Sequence, residues 1–300
     1  MAELSPAAAP DKYFHNKPFV KSQIRTDFAT KLGSDPRFNA ASTNDLETLL
    51  SYIEADPRVT DVRWMAYMLA TAYWETAHIE KIQKPVLDKK GNPAMKAGVP
   101  VVKNVKVWRN IGPATEVAPT GKYVPAVKVK RLADGTARVT EQDGNQWSVS
   151  ASGVPTPLTK KAKYGALFGG TAVKAYTDDD GVELQYFGRG YVQLTWWYNY
   201  ASTGVAIGRG LDLLFDPELV LDPAVAYELM ARGLLTGAGF ANGRKLSDYF
   251  QGELTDYKGA RAMVNGSDHA DDIAKIAKAF EEMLMENKVE PLTVIVGPLP

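Results

Sequence analysis

Residues 186–200, YFGRGYVQLTWWYNY, alternate polar side chains with aromatic ones at nearly every step. That pattern is unusual for a core strand and is typical of a cleft wall that holds a sugar. Gly188 and Gly190 allow positive φ or a close backbone approach, and they flank Arg189, which keeps its charge at physiological pH. The stretch therefore predicts one wall of a binding cleft, and any catalytic acid or base is expected elsewhere in the chain.

The composition limits the class of protein. The 300 residues are 45% hydrophobic and 10% aromatic, enough to bury a core in one large domain or two small ones. The 35 basic and 35 acidic residues balance, which disfavours nucleic acid or an anionic lipid as partner of the whole protein, although a local patch stays possible. There is no cysteine, so disulfides, thiolate metal sites and a Cys nucleophile are excluded.

The start of the chain lacks the pattern of a signal peptide, and no apolar run reaches about 18 residues. We therefore expect a protein that is made in the cytoplasm, does not insert into a membrane and is a monomer.

The periodicity of apolar residues changes along the chain. Residues 99–152 alternate β-branched and polar residues, with turn signals at Asp134-Gly135 and Asp143-Gly144. On both sides of this region the spacing is helical. The predicted organisation is a flexible N-terminal segment (1–17), a discontinuous catalytic domain (18–97 and 158–287), a β-rich insert (98–157) and a tail (288–300).

Glu75 is the candidate for a chemical role. It lies three residues beyond Ala72 and seven beyond Met68, on the buried side of a predicted helix. Burial raises the pKa of a carboxyl group and can keep it protonated near neutrality, as a general acid requires. A structural glutamate, paired with an arginine or a backbone amide, is the alternative.

The sequence lacks the motifs of metal-dependent, serine-nucleophile and dinucleotide-dependent enzymes. His15, His78 and His269 contain no H-x-x-x-H pair, no G-x-S-x-G motif occurs, and residues 188–190 lack the third glycine of a dinucleotide-binding loop. We predict neither a metal nor a cofactor. A buried carboxyl beside an aromatic wall fits glycoside hydrolysis, in which one carboxyl protonates the leaving oxygen and a second group activates water.

Two motifs resemble glycoside hydrolase family 19, the plant-type chitinases and the lysozyme-like endolysins of phages and bacteria. Residues 73–77, Tyr-Trp-Glu-Thr-Ala, are similar to the His-Glu-Thr motif of the catalytic helix, and residues 188–200 are similar to the second signature. The resemblance covers about 60–90 and 160–285, with later landmarks at 216–223 and 261–266. It implies a mainly α, lysozyme-like (α+β) fold of two lobes with a small β-rich domain inserted, and an inverting mechanism.

The resemblance also implies roles for matching residues. Glu75 would be the general acid, and Thr195 would help to position the attacking water. Asn265 could equally be a left-handed helix cap, and Arg189 could instead tie its loop to the helical body. The residues expected to bind substrate are Gln193, Tyr198, Asn199, Asn265 and Arg189.

The second carboxylate is open to three assignments. The family places it about ten or more residues after the first, and matching Pro85-Val86 to the family's proline-apolar step selects Asp88. Glu80, five residues after Glu75 on a continuing helix, would point away from the acid. Glu183, just before the second signature, is the third candidate.

Chitin and peptidoglycan share a β-1,4-linked backbone that contains N-acetylglucosamine. Plant-type chitinases are secreted and usually carry disulfides, so the absence of cysteine favours a peptidoglycan-cleaving, muramidase-like endolysin that acts on the cell wall after release. A chitinase and a non-catalytic wall-binding or phage structural protein are the alternatives. The insert could bind the wall through Trp108, Tyr123 and Trp147, or these aromatics could form its own core.

Overall fold

The computed structural model describes residues 13, 21–32, 40–76, 78–96, 98–109, 112–116, 126–159 and 181–287. Except for Tyr13, the predicted N-terminal segment and tail lie outside these residues. The helices are α1 Lys21–Leu32, α2 Ala40–Ala55, α3 Val62–Thr76, α4 Trp197–Ala206, α5 Asp212–Phe215, α6 Pro223–Thr236, α7 Tyr257–Ala260 and α8 Ala270–Glu286. Short 3-10 helices cover Pro217–Leu221, Gly239–Ala241, Leu246–Asp248 and Arg261–Met263.

The strands are short except for two. They are β1 His78–Pro85, β2 Met95–Lys96, β3 Val99–Pro100, β4 Val102–Arg109, β5 Ala114–Thr115, β6 Val127–Arg131, β7 Ala137–Thr140, β8 Gln146–Val149, β9 Pro155–Pro157, β10 Val182–Leu184, β11 Arg189–Gly190, β12 Phe250–Gln251 and β13 Leu254–Thr255. The predicted fold class, mainly α with small sheets, is confirmed. No helix in the described ranges is long and apolar enough to cross a membrane.

Helix α3 is the central helix of the body. It is buried over most of its length, as expected of a helix that is apolar almost all round. It packs along α8, and α1 closes the group because Phe28 stacks on Phe280 at 5.6 Å and meets Tyr73 edge-on at 5.8 Å. These contacts fix the C-terminal end of α3, where Glu75 lies.

A buried ion pair holds the other end of α3. Asp61 accepts a hydrogen bond from the Arg63 amide, and Arg63 Nη2 lies 2.6 Å from Asp61 Oδ2. Arg63 Nη1 also donates to the carbonyls of Gly252 and Leu254, each at 2.9 Å, and so ties the β12–β13 hairpin to the helix. Both charges are buried, paired and hydrogen-bonded, which a buried ion pair requires.

Helix α6 begins and ends where its sequence indicates. Asp222 caps it by accepting from the amides of Ala224 and Val225, and Pro223 occupies the first turn, where its missing N–H costs nothing. Gly237 ends the helix in the left-handed conformation, with φ of 77°.

A long β-hairpin follows α3. Strands β1 and β4 pair in register from His78–Arg109 to Pro85–Val102. Helix α3 ends at Thr76, so Glu80 lies in β1 and not on a continuing helix.

The insert forms most of an antiparallel five-stranded sheet with the order β10-β6-β7-β8-β9. Its hairpins turn at Gly135 and Gly144, both with positive φ, as the Asp-Gly signals predict. Strand β10 comes from beyond the predicted insert and pairs with β6. The sheet therefore contains residues from both sides of the predicted boundary at 158, and the domain limits stay predictions.

The sheet is packed against the helical body. Trp147 is 1% exposed, and its ring centroid lies 5.9 Å from that of Trp197 in α4. Trp197 Nε1 donates to Glu141 Oε1 at 3.1 Å, and the Arg131 guanidinium lies over the Phe215 ring. Trp147 is thus a core residue in this structure. The side chain of Trp108 and all of Tyr123 lie outside the described residues.

Candidate active site

Glu75 lies in the last turn of α3 at the floor of a cleft of about 410 Å³. Its side chain is 15% exposed and forms an ion pair through Oε1 with Nη1 of Arg261, which is 1% exposed. Arg261 Nε donates to the Asp268 carbonyl at 2.9 Å, so the guanidinium is held from two sides. The glutamate is therefore fixed in position while it still faces the cleft.

The pKa of Glu75 is raised above its ordinary value. Burial is the main cause, because it removes water from the charged form. Arg261 opposes the shift, whereas the nearby charge of Asp268 adds to it. The net effect favours a protonated carboxyl, the state in which it can donate a proton.

Residues 186–200 form the opposite wall, which buried tyrosines hold in place. The Tyr186 hydroxyl donates to the Leu214 carbonyl at 2.5 Å, and the Tyr200 hydroxyl donates to the Phe187 carbonyl at 2.9 Å. Gly190 has φ of 79°, and a Cβ atom there would lie 2.8 Å from Val220 Cγ1. Only glycine fits this close approach without strain.

Arg189 is 3% exposed and points away from the cleft. Its Nη2 lies 2.6 Å from Glu218 Oε1, its Nη1 donates to the Gln185 carbonyl, and its guanidinium covers the Phe187 ring at 3.8 Å. These contacts tie the wall to the 3-10 helix at 217–221. They fit the structural alternative for Arg189 and give it no contact surface for substrate.

Among the wall residues that line the cleft, three polar side chains are held by hydrogen bonds to backbone carbonyls. Gln193 Nε2 donates to the carbonyls of Ala114 and Gly190, Thr195 Oγ1 donates to the Gln193 carbonyl at 2.8 Å, and Asn199 Nδ2 donates to the Thr195 carbonyl at 2.8 Å. Their rotamers are therefore set before any ligand binds, which lowers the entropy cost of binding.

A second carboxylate, Glu116, lines the same cleft as Glu75. Strand β5 pairs with β11, and the Glu116 amide donates to the Gly188 carbonyl at 2.8 Å. The Gly188 amide donates in turn to Glu116 Oε2 at 3.1 Å. A Cβ atom at Gly188 would lie 2.7 Å from Gln193 Oε1, so a larger residue there would displace the Gln193 side chain in the cleft.

Two of the three sequence candidates for the second carboxylate, Asp88 and Glu183, lie elsewhere. Asp88 is at the far end of the β1–β4 hairpin, about 30 Å along the strand from His78. Its carboxylate accepts hydrogen bonds from two amides of its own turn. Glu183 lies in β10 opposite Lys128, away from the cleft, and the side chain of Glu80 is outside the described part of the chain.

Two predicted substrate contacts have different positions. Asn265 lines the cleft, and the left-handed conformation belongs to Gly266, so Asn265 is not a left-handed cap. Tyr198 is not among the described residues that line the cleft and packs against Trp197, with ring centroids 5.7 Å apart.

Sequence analysis missed three residues of the cleft: Glu116, Phe240 and Asn242. Glu116 lies inside the insert, which the resemblance does not cover. Asn242, with φ of 50°, is followed by Gly243, and this Asn-Gly pair was an available signal for a turn that brings Phe240 to the cleft.

The cleft is thus lined by the largely buried carboxyl group of Glu75, by a second carboxylate, Glu116, and by side-chain amides and a hydroxyl group of the wall. Within the described residues, no group of three or more histidine, aspartate and glutamate side chains could hold a metal ion. The chemistry that this arrangement can perform is proton transfer and water activation by two carboxyl groups.

Comparison with known proteins finds a family whose sequence pattern matches the segment that contains this wall. A model of glycoside hydrolase family 19, described as chitinase class I, matches residues 171–235. The predicted resemblance to that family is confirmed. The matched segment contains the wall, whereas Glu75 and Glu116 lie outside it.

Individual relatives are plant proteins. Endochitinase 1 of Theobroma cacao is 53% identical over 45 residues, 15% of this chain and 13% of that protein. Endochitinase A2 of Pisum sativum is 49% identical over 45 residues, with the same shares. Chitinase 9 of Oryza sativa subsp. japonica is 53% identical over 47 residues, 15% of this chain and 14% of that protein. The chain thus spans only 13–14% of the length of these relatives. No solved structure gives a significant match.

Proposed function

We propose that this protein is a glycoside hydrolase that cleaves a β-1,4-linked polymer of N-acetylglucosamine by an inverting mechanism. The observation that carries the proposal is that two carboxyl groups, those of Glu75 and Glu116, line one cleft whose wall matches family 19. The family match supports the class of reaction, and the positions of the carboxyl groups support the assignment of roles.

Glu75 is the general acid. Burial raises the pKa of its carboxyl group, which favours the protonated form that a general acid needs. Because Arg261 holds Oε1, we assign the proton to Oε2. Oε2 donates that proton to the glycosidic oxygen as the bond to the anomeric carbon breaks, which leaves Glu75 as a carboxylate beside Arg261.

Glu116 is the general base, in place of Asp88. It takes a proton from water while the water oxygen attacks the anomeric carbon from the opposite face. Its amide partner, Gly188, keeps one oxygen in place. Thr195, on the same wall, positions that water, whereas Gln193, Asn199 and Asn265 offer amides to the acetamido groups of the sugar.

Two polymers contain this linkage. Peptidoglycan remains our proposed substrate, because the chain has no cysteine, in contrast to disulfide-bonded plant-type chitinases. Chitin is the second candidate, and it is favoured by the names of the curated relatives, which are chitinases. If peptidoglycan is the substrate, we propose that the protein is made in the cytoplasm and acts on the cell wall after release.

The test compares Glu75→Gln, Glu116→Gln and Asp88→Asn on purified sacculi and on soluble chitin oligomers. All three changes are isosteric and replace an ionisable carboxyl group by an amide. We expect the first two to lower kcat by about 10²–10⁴-fold, and Asp88→Asn to leave it unchanged. Loss of activity in Asp88→Asn with full activity in Glu116→Gln would reverse the assignment of the base.

Product analysis identifies the substrate and the mechanism. Mass spectrometry of the fragments identifies the sugar at the new reducing end. Muramic acid at that end indicates muramidase-type cleavage of peptidoglycan, whereas glucosamine is the end that hydrolysis of chitin produces. Proton NMR of fresh product should show the α-anomer first, as inversion requires. Wall binding by a wild-type protein that hydrolyses neither polymer would support the non-catalytic alternative.

A further inference from the structure

The hairpin that follows α3 ends in a tip, described at residues 85–96 and 98–103, that the proposed reaction does not use. Strands β1 and β4 carry this tip about 25 Å from their base at His78. In the tip, Ala94 N donates to Val86 O and Val101 N donates to Ala94 O, so three chain segments are joined by hydrogen bonds. The tip is therefore a folded platform, and its side chains are displayed from a defined backbone.

The tip exposes large apolar side chains. Eight large hydrophobic residues are exposed in the described part of the chain, and four of them belong to the tip. They are Leu87 at 58%, Met95 at 58%, Val99 at 64% and Val102 at 46%. Single exposed apolar residues need no explanation. The β2–β3 register puts Met95 and Val99 on opposite faces, so apolar side chains are exposed on both sides of this protruding element. Such a concentration of exposed apolar residues indicates an interaction surface.

The same tip is basic. It contains four exposed lysines and one aspartate, a formal charge of +3 in a chain whose total is zero. No ion pair among the described residues involves these lysines, whereas Asp88 is engaged with the amides of its own turn. The lysines are Lys89, Lys90, Lys96 and Lys103.

We propose that the tip docks the protein on an anionic lipid bilayer surface. Lysines are attracted to the negative headgroup layer, and apolar side chains gain free energy when they enter the boundary of the hydrocarbon region. The combination selects lipid over an anionic polysaccharide, because phosphate or carboxylate groups on a hydrated polymer would use the lysines and leave Leu87, Met95 and Val99 exposed to water. The lack of net charge on the whole chain is no obstacle, since this interaction acts only within a Debye length of the surface.

The test is co-sedimentation of the full-length protein with vesicles of phosphatidylcholine alone and of an equimolar mixture with phosphatidylglycerol. We expect binding to the anionic vesicles that weakens as salt is added. Replacement of the four lysines by glutamine should weaken it about fivefold per charge. Replacement of Leu87, Met95 and Val99 by serine should weaken it further, and hydrolysis of a soluble oligomer should be unchanged.

Matched controls come from other surfaces of the protein. The apolar control replaces Val154, Leu158 and Val182, which are 57%, 50% and 64% exposed, by serine. The charge control replaces Lys245, Lys275, Lys278 and Arg209, all exposed, by glutamine.

Three outcomes would overturn the proposal: no preference for anionic vesicles, the same loss in the tip variants and in their controls, or capture by purified anionic wall polymer with no binding to lipid. Circular dichroism and a soluble-substrate assay on each variant ensure that a loss of vesicle binding is not a loss of fold.

Discussion

Gly233 and Phe240 offer a test of how α6 shapes the cleft. Gly233 is buried inside α6, and a Cβ atom there would lie 2.3 Å from Phe240 Cε1 and 2.5 Å from Cζ. Carbon atoms in contact prefer about 3.5–4.0 Å. In Gly233→Ala the ring must therefore move by about 1 Å or more, and Phe240 lines the cleft.

The expected change in stability is small because two effects oppose each other. Replacement of glycine by alanine inside a helix stabilises it by about 1 kcal/mol. Overpacking against Phe240 costs about 1–3 kcal/mol. The free energy of unfolding in urea should thus fall by about 0–2 kcal/mol. The displaced ring should raise KM for a chitin or wall oligomer about tenfold, which equals about 1.4 kcal/mol of lost binding.

The double variant Gly233→Ala/Phe240→Ala separates these effects. Without the ring, the methyl group added at position 233 has room, so the double variant should be about 1 kcal/mol more stable than Phe240→Ala alone. If Gly233→Ala alone gained that stability of about 1 kcal/mol and kept the wild-type KM, the packing of Phe240 against α6 and its place at the substrate would both be refuted.

Three further predictions follow from the charges. Burial, followed by the charge of Asp268, raises the pKa of Glu75, so Asp268→Asn should move the alkaline limb of the kcat/KM profile to lower pH; an upward shift would contradict it. Burial also raises the pKa of Glu141 in the folded protein above its value in the unfolded chain. The stabilisation that the protonated Glu141 side chain provides is therefore complete below the unfolded-state pKa and is lost as pH rises through the folded-state pKa. Glu141→Gln should therefore gain stability relative to wild type as pH rises above about 4, and a difference in thermal midpoint that does not change with pH would argue against this. Asp61→Asn leaves buried Arg63 without its counter-charge and should cost about 3–5 kcal/mol in urea unfolding, whereas a loss below about 1 kcal/mol would mean that water reaches the pair.

Sequence reasoning succeeded where the signal is local. The apolar periodicity of α3 and α8, the Asp-Pro start of α6 and the Asp-Gly turns of the sheet all depend on neighbouring residues, and the structure contains each element. The wall at 186–200 was recognisable for the same reason, because its glycines, aromatics and amides are contiguous.

The second carboxylate could not be found in this way. Glu116 follows Glu75 by 41 residues, and most of that interval is the β1–β4 hairpin. The hairpin closes on itself at the His78–Arg109 pair, so its length does not change which residues meet at its base. Spacing along the chain therefore carries no information about distance across the cleft, and the ten-residue spacing selected Asp88, which lies at the far end of the hairpin from its base at His78.

The five-stranded sheet has a consequence for protein engineering. Strand β10 belongs to the segment that leads into the wall, yet its hydrogen-bonding partner is β6 of the insert, and Glu141 and Trp147 of the insert support Trp197 of α4. Excision of residues 99–157 would leave β10 without its partner strand and Trp197 without its cover. The insert is thus a poor unit for transplantation into another hydrolase, and chimeras should exchange residues 126–206 together.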